Sequence, residues 1–119
     1  IFFENLINWD QPIILCEGVF DAIAIKRNTI PILGKSLSNT LIKKLISSTN
    51  KDIYIALDTD AKTKALEISE HLLSLGKRVF LVELTDKDPS DMGFKQFTEL
   101  VQTAKELDLS TLMMHKLDL

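Results

Sequence analysis

Two carboxylates stand two positions apart at the end of an apolar run in the middle of the chain. Residues 54–65 read YIALDTDAKTKA, so Asp58 and Asp60 directly follow that run. Residues two apart in an extended backbone point to the same side, so both carboxylates can reach one ligand. Like charges this close repel each other unless a cation offsets them, and carboxylate oxygens suit Mg²⁺ and Mn²⁺. A single Asp-x-Asp is also typical of a turn with a helix cap, so the metal interpretation needs support from elsewhere in the chain.

The segments that must position these carboxylates alternate between apolar runs and helical patterns. Strands are predicted at 12–16, 29–33, 52–57 and 78–84, and the continuous apolar run at 12–16 is typical of a strand buried on both faces. Helices are predicted at 19–27, 38–48, 61–75 and 94–107, with Ser38 as an N-cap and Gly76 as a stop. This alternation predicts an α/β fold with a central parallel sheet of about four strands flanked by helices.

The whole chain is expected to form a single domain. Its core is predicted to span about residues 12–107, with peripheral extensions at 1–11 and 108–119. Because the chain begins at Ile1 rather than Met, we expect it to be a fragment of a longer protein.

Acidic residues follow three of the four predicted strands. In a parallel α/β sheet the strand-to-helix loops lie at the carboxyl edge, where ligands bind. The acids at that edge are Glu17 after the first strand, Asp58 and Asp60 after the third, and Asp86, Asp88 and Asp91 after the fourth. A helix cap or a turn can explain each acidic residue taken alone. Caps and turns do not, however, require acidic residues in all three loops. Their coincidence predicts a site for Mg²⁺ or Mn²⁺, with two ions as one option, suited to phosphoryl chemistry.

Composition narrows the class of protein. The 119 residues include 45% hydrophobic and 26% charged residues, as in an ordinary soluble globular domain. The net charge of −3 argues against a domain that binds nucleic acid by bulk electrostatics alone. One cysteine excludes an internal disulfide framework and a multi-cysteine zinc site, and favours a cytoplasmic location. No apolar stretch is long enough for a membrane span, so no membrane partner is expected.

Three stretches together resemble the Toprim domain, which primases, type IA and type II topoisomerases and some nucleases share. They are CEGVFDAIAI at 16–25, ALDTDA at 56–61 and KDPSDM at 87–92. Among the branches of this family, the likeness is closest to bacterial and phage-type DNA primases and primase–helicases. Those proteins carry an E-G-x-x-D-A segment, a G-x-x-L stretch after the second strand, here GKSL at 34–37, and a K-D-P-x-D/E loop.

The resemblance assigns roles to individual residues. Glu17 matches a glutamate implied in metal binding or general acid–base work, and Asp58 and Asp60 match the metal-binding pair. These three are therefore the expected catalytic residues. Asp88 matches the acidic residue of the last loop, and completes the expected metal ligands.

Further residues extend the match or depart from it. Asp21 matches an aspartate four positions after the glutamate, while Asp91 and Lys35 are additional candidates, the latter for phosphate contact. Ser90 stands where primases often carry an acid or amide, which weakens the case for a second metal. Lysines follow the Asp-x-Asp where a small residue and glycine are common.

The resemblance implies a Toprim catalytic domain of a DNA primase, which makes RNA primers in DNA replication by metal-dependent nucleotidyl transfer. A single-stranded DNA template and nucleoside triphosphates are expected to bind with the help of domains that this chain lacks, and a replicative helicase is a candidate partner. The isolated fragment is expected to bind metal without making primers.

Other functions stay open on the sequence. A Toprim nuclease would use the same acids. A topoisomerase would need a tyrosine nucleophile, and the single tyrosine, Tyr54, lies in mid-strand and is expected in the core. A non-catalytic nucleotide-binding or interaction module with the same fold is the third alternative.

Overall fold

Short runs of aliphatic residues form the strands of one sheet. The computed structural model describes residues 7–18, 28–32, 38–57, 61–82 and 98–117. The strands are β1 (Ile13–Cys16), β2 (Thr29–Pro31), β3 (Asp52–Ala56), β4 (Arg78–Leu81) and β5 (Lys105–Leu107). The helices are α1 (Asn39–Ser47), α2 (Lys62–Ser74) and α3 (Leu109–Leu117), and residues 98–102 are also helical. In these ranges no helix is both long enough and apolar enough to cross a membrane.

The strands lie in the order β2-β1-β3-β4-β5. The first four run parallel, and β5 runs antiparallel to β4. Parallel strands require crossover connections, and α1 and α2 supply two of them, between β2 and β3 and between β3 and β4. The predicted α/β class, a Rossmann-like sheet with flanking helices, is therefore confirmed, and the sheet has one strand more than expected.

Alternate residues of the strands pack on opposite faces of the sheet. Ile13 and Leu15 belong to one buried cluster, which also contains Leu41 and Leu45 of α1 and the apolar side of α2. Ile14, Cys16 and Ala56 belong to a second cluster, against which Leu100, Val101 and Ala104 pack. We call these the α1/α2 face and the opposite face. Burial on both sides explains why β1 is continuously apolar.

Two residues mark helix ends as the sequence predicts, one as an N-cap and one as a stop. The Ser38 side chain accepts a hydrogen bond from the backbone N–H of Leu41 at 3.1 Å, which caps α1. Gly76 has a φ of +83°, a left-handed conformation that ends α2 at little cost because glycine has no Cβ. Both predictions are confirmed.

The prediction of a helix through residue 107 is wrong for residues 105–107. The helical segment gives way to a turn at Thr103, and Lys105–Leu107 pair with β4 as strand β5. Without β5, the outer edge of β4 would present unpaired backbone N–H and C=O groups beside a buried cluster. Pairing those groups outweighs the helix propensity of the segment, even though lysine, glutamate and leucine are good helix formers.

The chain after residue 107 was expected to be a peripheral extension. In the structure, one side of it packs against the rest of the domain. Asp108 accepts a hydrogen bond from the backbone N–H of Thr111 at 2.7 Å and so caps α3. Leu112 is 2% exposed, and Lys116 forms an ion pair with Glu70 of α2. The helix therefore contributes a buried leucine to the fold.

Lys77 is a buried cation just before β4. Its ammonium donates hydrogen bonds to the carbonyl of Asn50 and, at 3.5 Å, to the hydroxyl of Ser48. Burial, and to a lesser extent the positive charge of Lys51, lower the pKa of Lys77 below its ordinary value of 10.5.

This lowered pKa predicts a pH-dependent contribution to stability. Between the folded pKa and 10.5 the unfolded chain binds more protons at this site, so stability should rise with pH in that window. We expect the free energy of unfolding of the wild type, relative to Lys77→Met, to increase as the pH rises toward 10.5. Urea denaturation at each pH measures it, with the exposed Lys43→Met as a charge-matched control. A difference that does not change with pH would contradict the prediction.

Candidate functional site

The carboxyl ends of β1 and β3 lie level with each other at one edge of the sheet. Cys16 is paired with Ala56 in the parallel register between the two strands. Glu17 therefore leaves β1 at the same level as Leu57 leaves β3. Asp58 is the next residue in the sequence after Leu57. The topology thus brings the start of both predicted acidic loops to adjacent strands.

Glu17 has an unusual environment for a carboxylate. Its side chain is half-buried, and Oε2 is fully buried with no hydrogen-bond partner among the described residues. An ionised oxygen in such a place costs free energy unless a cation or a donor compensates it. Two other buried polar atoms lack partners, Oγ1 of Thr29 and Nδ2 of Asn50, but these groups are neutral and lie at the amino ends of β2 and β3. Glu17 is the residue whose environment fits a bound cation.

The chain bends sharply where Glu17 leaves the sheet. Cys16 is fully buried, and its thiol lies 3.5 Å from the carbonyl oxygen of Gly18, to which it donates. This contact spans Glu17 and ties the bend to the end of β1. Cys16 is thus a small buried residue at the end of a strand.

The beginning of α2 adds positive potential to the same edge. Ala61 precedes the helix and makes no side-chain cap, and the first turn contains no acidic residue. Lys62 and Lys64 stand there instead, both half-buried. The backbone N–H groups of the first turn give this helix end a partial positive charge, so the edge combines a buried carboxylate oxygen with groups that attract anions.

The other predicted site residues lie outside the described part of the chain. They are Asp21, Lys35, Asp58, Asp60, Asp86, Asp88 and Asp91. Within residues 7–18, 28–32, 38–57, 61–82 and 98–117, no three His, Cys, Asp or Glu side chains come together as a metal site. The predicted ligand set therefore stays a prediction, with Glu17 as its described member.

Tyr54 differs from expectation, because it is half-buried at the margin of the second cluster rather than inside the core. Its ring stacks on that of Phe80, in the strand next to it. The alternation of DIYIA already separates Tyr54 from Ile53 and Ile55, and this signal could have placed it on the opposite face.

Comparison with known proteins decides the family. Residues 14–93 match the family described as Toprim-like. The chain belongs to this family. The matched range includes Glu17, the Asp58–Asp60 pair and Asp88, so the resemblance in the three sequence stretches is confirmed at the level of the domain.

Two individual relatives agree with this assignment. An uncharacterized protein of Mycoplasma genitalium is 30% identical over 97 residues, which cover 75% of this chain and 44% of that protein. A crystal structure of the Aquifex aeolicus primase, comprising its zinc-binding and RNA polymerase domains, matches with a TM-score of 0.65 and 32% identity. That match covers 81% of this chain and 26% of the primase chain. The Toprim domain is thus close to the primase type, and it spans less than half the length of either relative.

Proposed function

We propose that this chain is the catalytic Toprim domain of a DNA primase, a nucleotidyltransferase that makes RNA primers for DNA replication. The observation that carries the proposal is the buried Oε2 of Glu17, which has no hydrogen-bond partner among the described residues, at the edge where the Asp58–Asp60 loop begins. Similarity to the Aquifex primase supports a primase over other Toprim proteins.

A divalent cation fits the chemistry of this edge. The residues proposed to hold Mg²⁺ or Mn²⁺ are Glu17, Asp58, Asp60 and Asp88. When bound, the ion would neutralise negative charge on phosphate oxygens. The positive end of α2, with Lys62 and Lys64, would attract the triphosphate of an incoming nucleotide. We also propose that the DNA template and the nucleotide bind with parts of the protein beyond this domain, and that a replicative helicase is a partner.

The primase proposal is favoured over its alternatives. A topoisomerase nucleophile within this chain finds no support, because the Tyr54 ring stacks on Phe80 in the middle of β3 and not at the acidic edge. A Toprim nuclease would share Glu17 and the Asp58–Asp60 pair, so the reaction product must distinguish it. A cytoplasmic location remains a prediction from the single cysteine.

Metal binding is the first expected result. We expect the 119-residue chain to bind Mn²⁺, and the Glu17→Gln and Asp58→Ala/Asp60→Ala variants to bind it on the order of 10–100-fold more weakly. Removing a ligand oxygen leaves fewer negative charges to hold the ion. Isothermal titration calorimetry measures the affinities. Glu67→Gln is the matched control, because Glu67 is an exposed glutamate on α2. Equal affinities in all four proteins would contradict the site.

Primer synthesis tests the function itself. The full-length protein, given single-stranded DNA, ribonucleoside triphosphates and Mg²⁺, is expected to produce short RNA primers, and chelation of the metal should abolish them. Radiolabelled products on a denaturing gel report both outcomes. Degradation of the DNA without RNA synthesis would identify the nuclease alternative and contradict the proposal.

A further inference from the structure

An aromatic ladder crosses the opposite face of the sheet. Tyr54 and Phe80 are paired residues on β3 and β4, with ring centroids 4.7 Å apart and ring planes only 16° from parallel. The guanidinium of Arg78 lies over the Phe80 ring at 5.9 Å. Two hydrogen bonds, of 2.7 and 2.9 Å, hold that guanidinium on the carboxylate of Asp52. Arg78 is thereby held over the Phe80 ring, on the β4 side of the two stacked rings.

A cavity of about 340 Å³ lies on the other side of Tyr54. Its described lining residues are Gln11, Pro12, Ile14, Asn28, Tyr54 and Val101. Ile14 is the register partner of Tyr54 on β1. Since Phe80 covers one face of the tyrosine ring, the second face is on the β1 side, where Ile14, which is 4% exposed, lines the cavity with Tyr54. Neighbouring strands are about 4.8 Å apart, so a flat group above Ile14 would continue the stack.

The wall opposite Tyr54 is rigid and polar. The Asn28 side-chain amide donates to the carbonyls of Asn8 at 2.7 Å and Pro12 at 3.1 Å, and its oxygen accepts from the backbone N–H of Asn8 at 2.8 Å. Gln11 is exposed at the rim, where its amide offers both a donor and an acceptor. No charged residue is among the described lining residues. With the ring of Tyr54 on one side and amide groups on the other, the cavity suits a flat group with a hydrogen-bonding edge.

We propose that this cavity binds a nucleobase, stacked on Tyr54 with its edge toward Gln11. Its volume is in the range of small-molecule sites, and amide side chains pair well with the donor–acceptor edges of bases. Ile14, which lines the cavity, stands three residues before Glu17, a distance of about 10 Å along the strand. The cavity is therefore separate from the acidic edge. The base could belong to a free nucleotide or to a single strand, because the chemistry of recognition is the same.

Fluorescence of 2-aminopurine riboside tests the proposal, because stacking quenches this base. We expect saturable quenching with the 119-residue chain, at least about 10-fold weaker affinity in Tyr54→Leu, and loss of binding in Ile14→Phe, which fills the cavity. Ile46→Phe is the matched control, since Ile46 is 58% exposed on α1. Indole, a flat ring without the base edge, should bind more weakly than the riboside.

Several outcomes would overturn the base site. They are no saturable quenching by the wild type, unchanged affinity in both cavity variants, or indole binding as tightly as the riboside. Amide chemical shifts of the wild type with adenosine give a second measurement that needs no variant, and they should move at Ile14, Tyr54 and Val101. If the probe binds more tightly within a short oligodeoxynucleotide, the ligand is a single strand. If the 5′-phosphate of the riboside binds more tightly, the ligand is a free nucleotide.

Discussion

Primer synthesis by the full-length protein is expected to fall on the order of 10²–10⁴-fold when Glu17 is replaced by Gln. The substitution keeps the size and shape of the side chain but removes its charge and its ability to accept a proton. Oε2 of Glu17 is buried and finds no hydrogen-bond partner in the described part of the chain, an environment that a cation would fit. Asp58→Asn is expected to have an effect of similar size, because it removes a charge from the adjacent loop. Primer yields measured over time give the ratio directly.

A matched control separates the loss of the Glu17 carboxylate from the loss of one negative charge elsewhere on the protein. Glu67→Gln removes one negative charge from an exposed position of α2 and should leave primer synthesis unchanged. Folding is compared by thermal unfolding of all three variants. Glu17→Gln should unfold near the wild-type temperature, because the side chain is only half-buried and the substitution keeps its size. Full activity of Glu17→Gln would remove the residue from the proposed site.

The second large effect is a loss of stability when a residue of the hydrophobic core is truncated. Ile53→Ala is expected to lower the free energy of unfolding by about 2–5 kcal/mol. Ile53 is fully buried on β3, paired with Ile13 on one side and with Val79 on the other. Truncation would remove apolar contacts and leave a cavity that two neighbouring strands cannot close by moving. Chemical denaturation followed by circular dichroism measures the change.

Ile46→Ala provides the same chemical change at an exposed position. The Ile46 side chain is 58% exposed on α1, and alanine has the higher helix propensity, so we expect a change within about 0.5 kcal/mol. A large loss in Ile46→Ala, or a small one in Ile53→Ala, would show that the assignment of core and surface along these elements is wrong.

Much of the fold follows from local patterns. Continuous apolar runs such as IILC predict strands buried on both faces, and these strands form. Ser38 and Gly76 mark helix ends because capping and left-handed backbone are properties of single residues. The convergence of acids on one edge could also be inferred, since parallel strands with crossovers place all their loops at the same edge. Glu17 is found there.

Other features depend on partners that are distant in the sequence. Residues 105–107 have a helical pattern, but the open edge of β4 converts them into a strand, and no local signal reports that edge. Tyr54 was expected in the core because it lies in mid-strand. It is half-buried at the margin of the second cluster, between its register partners Ile14 on β1 and Phe80 on β4. Register is a property of two strands together, and so the cavity beside Tyr54 could not be predicted from either strand.

The sequence by itself determined the class of fold, the family and the types of residue available for metal chemistry, because periodicity, caps and motif spacing are local. Only the tertiary structure decided that Glu17 leaves β1 level with the end of β3, and that one of its oxygens is buried with no partner among the residues that the structure describes. Burial and register arise when separate strands pack against each other. These two properties turn an ordinary glutamate after a strand into a candidate ligand.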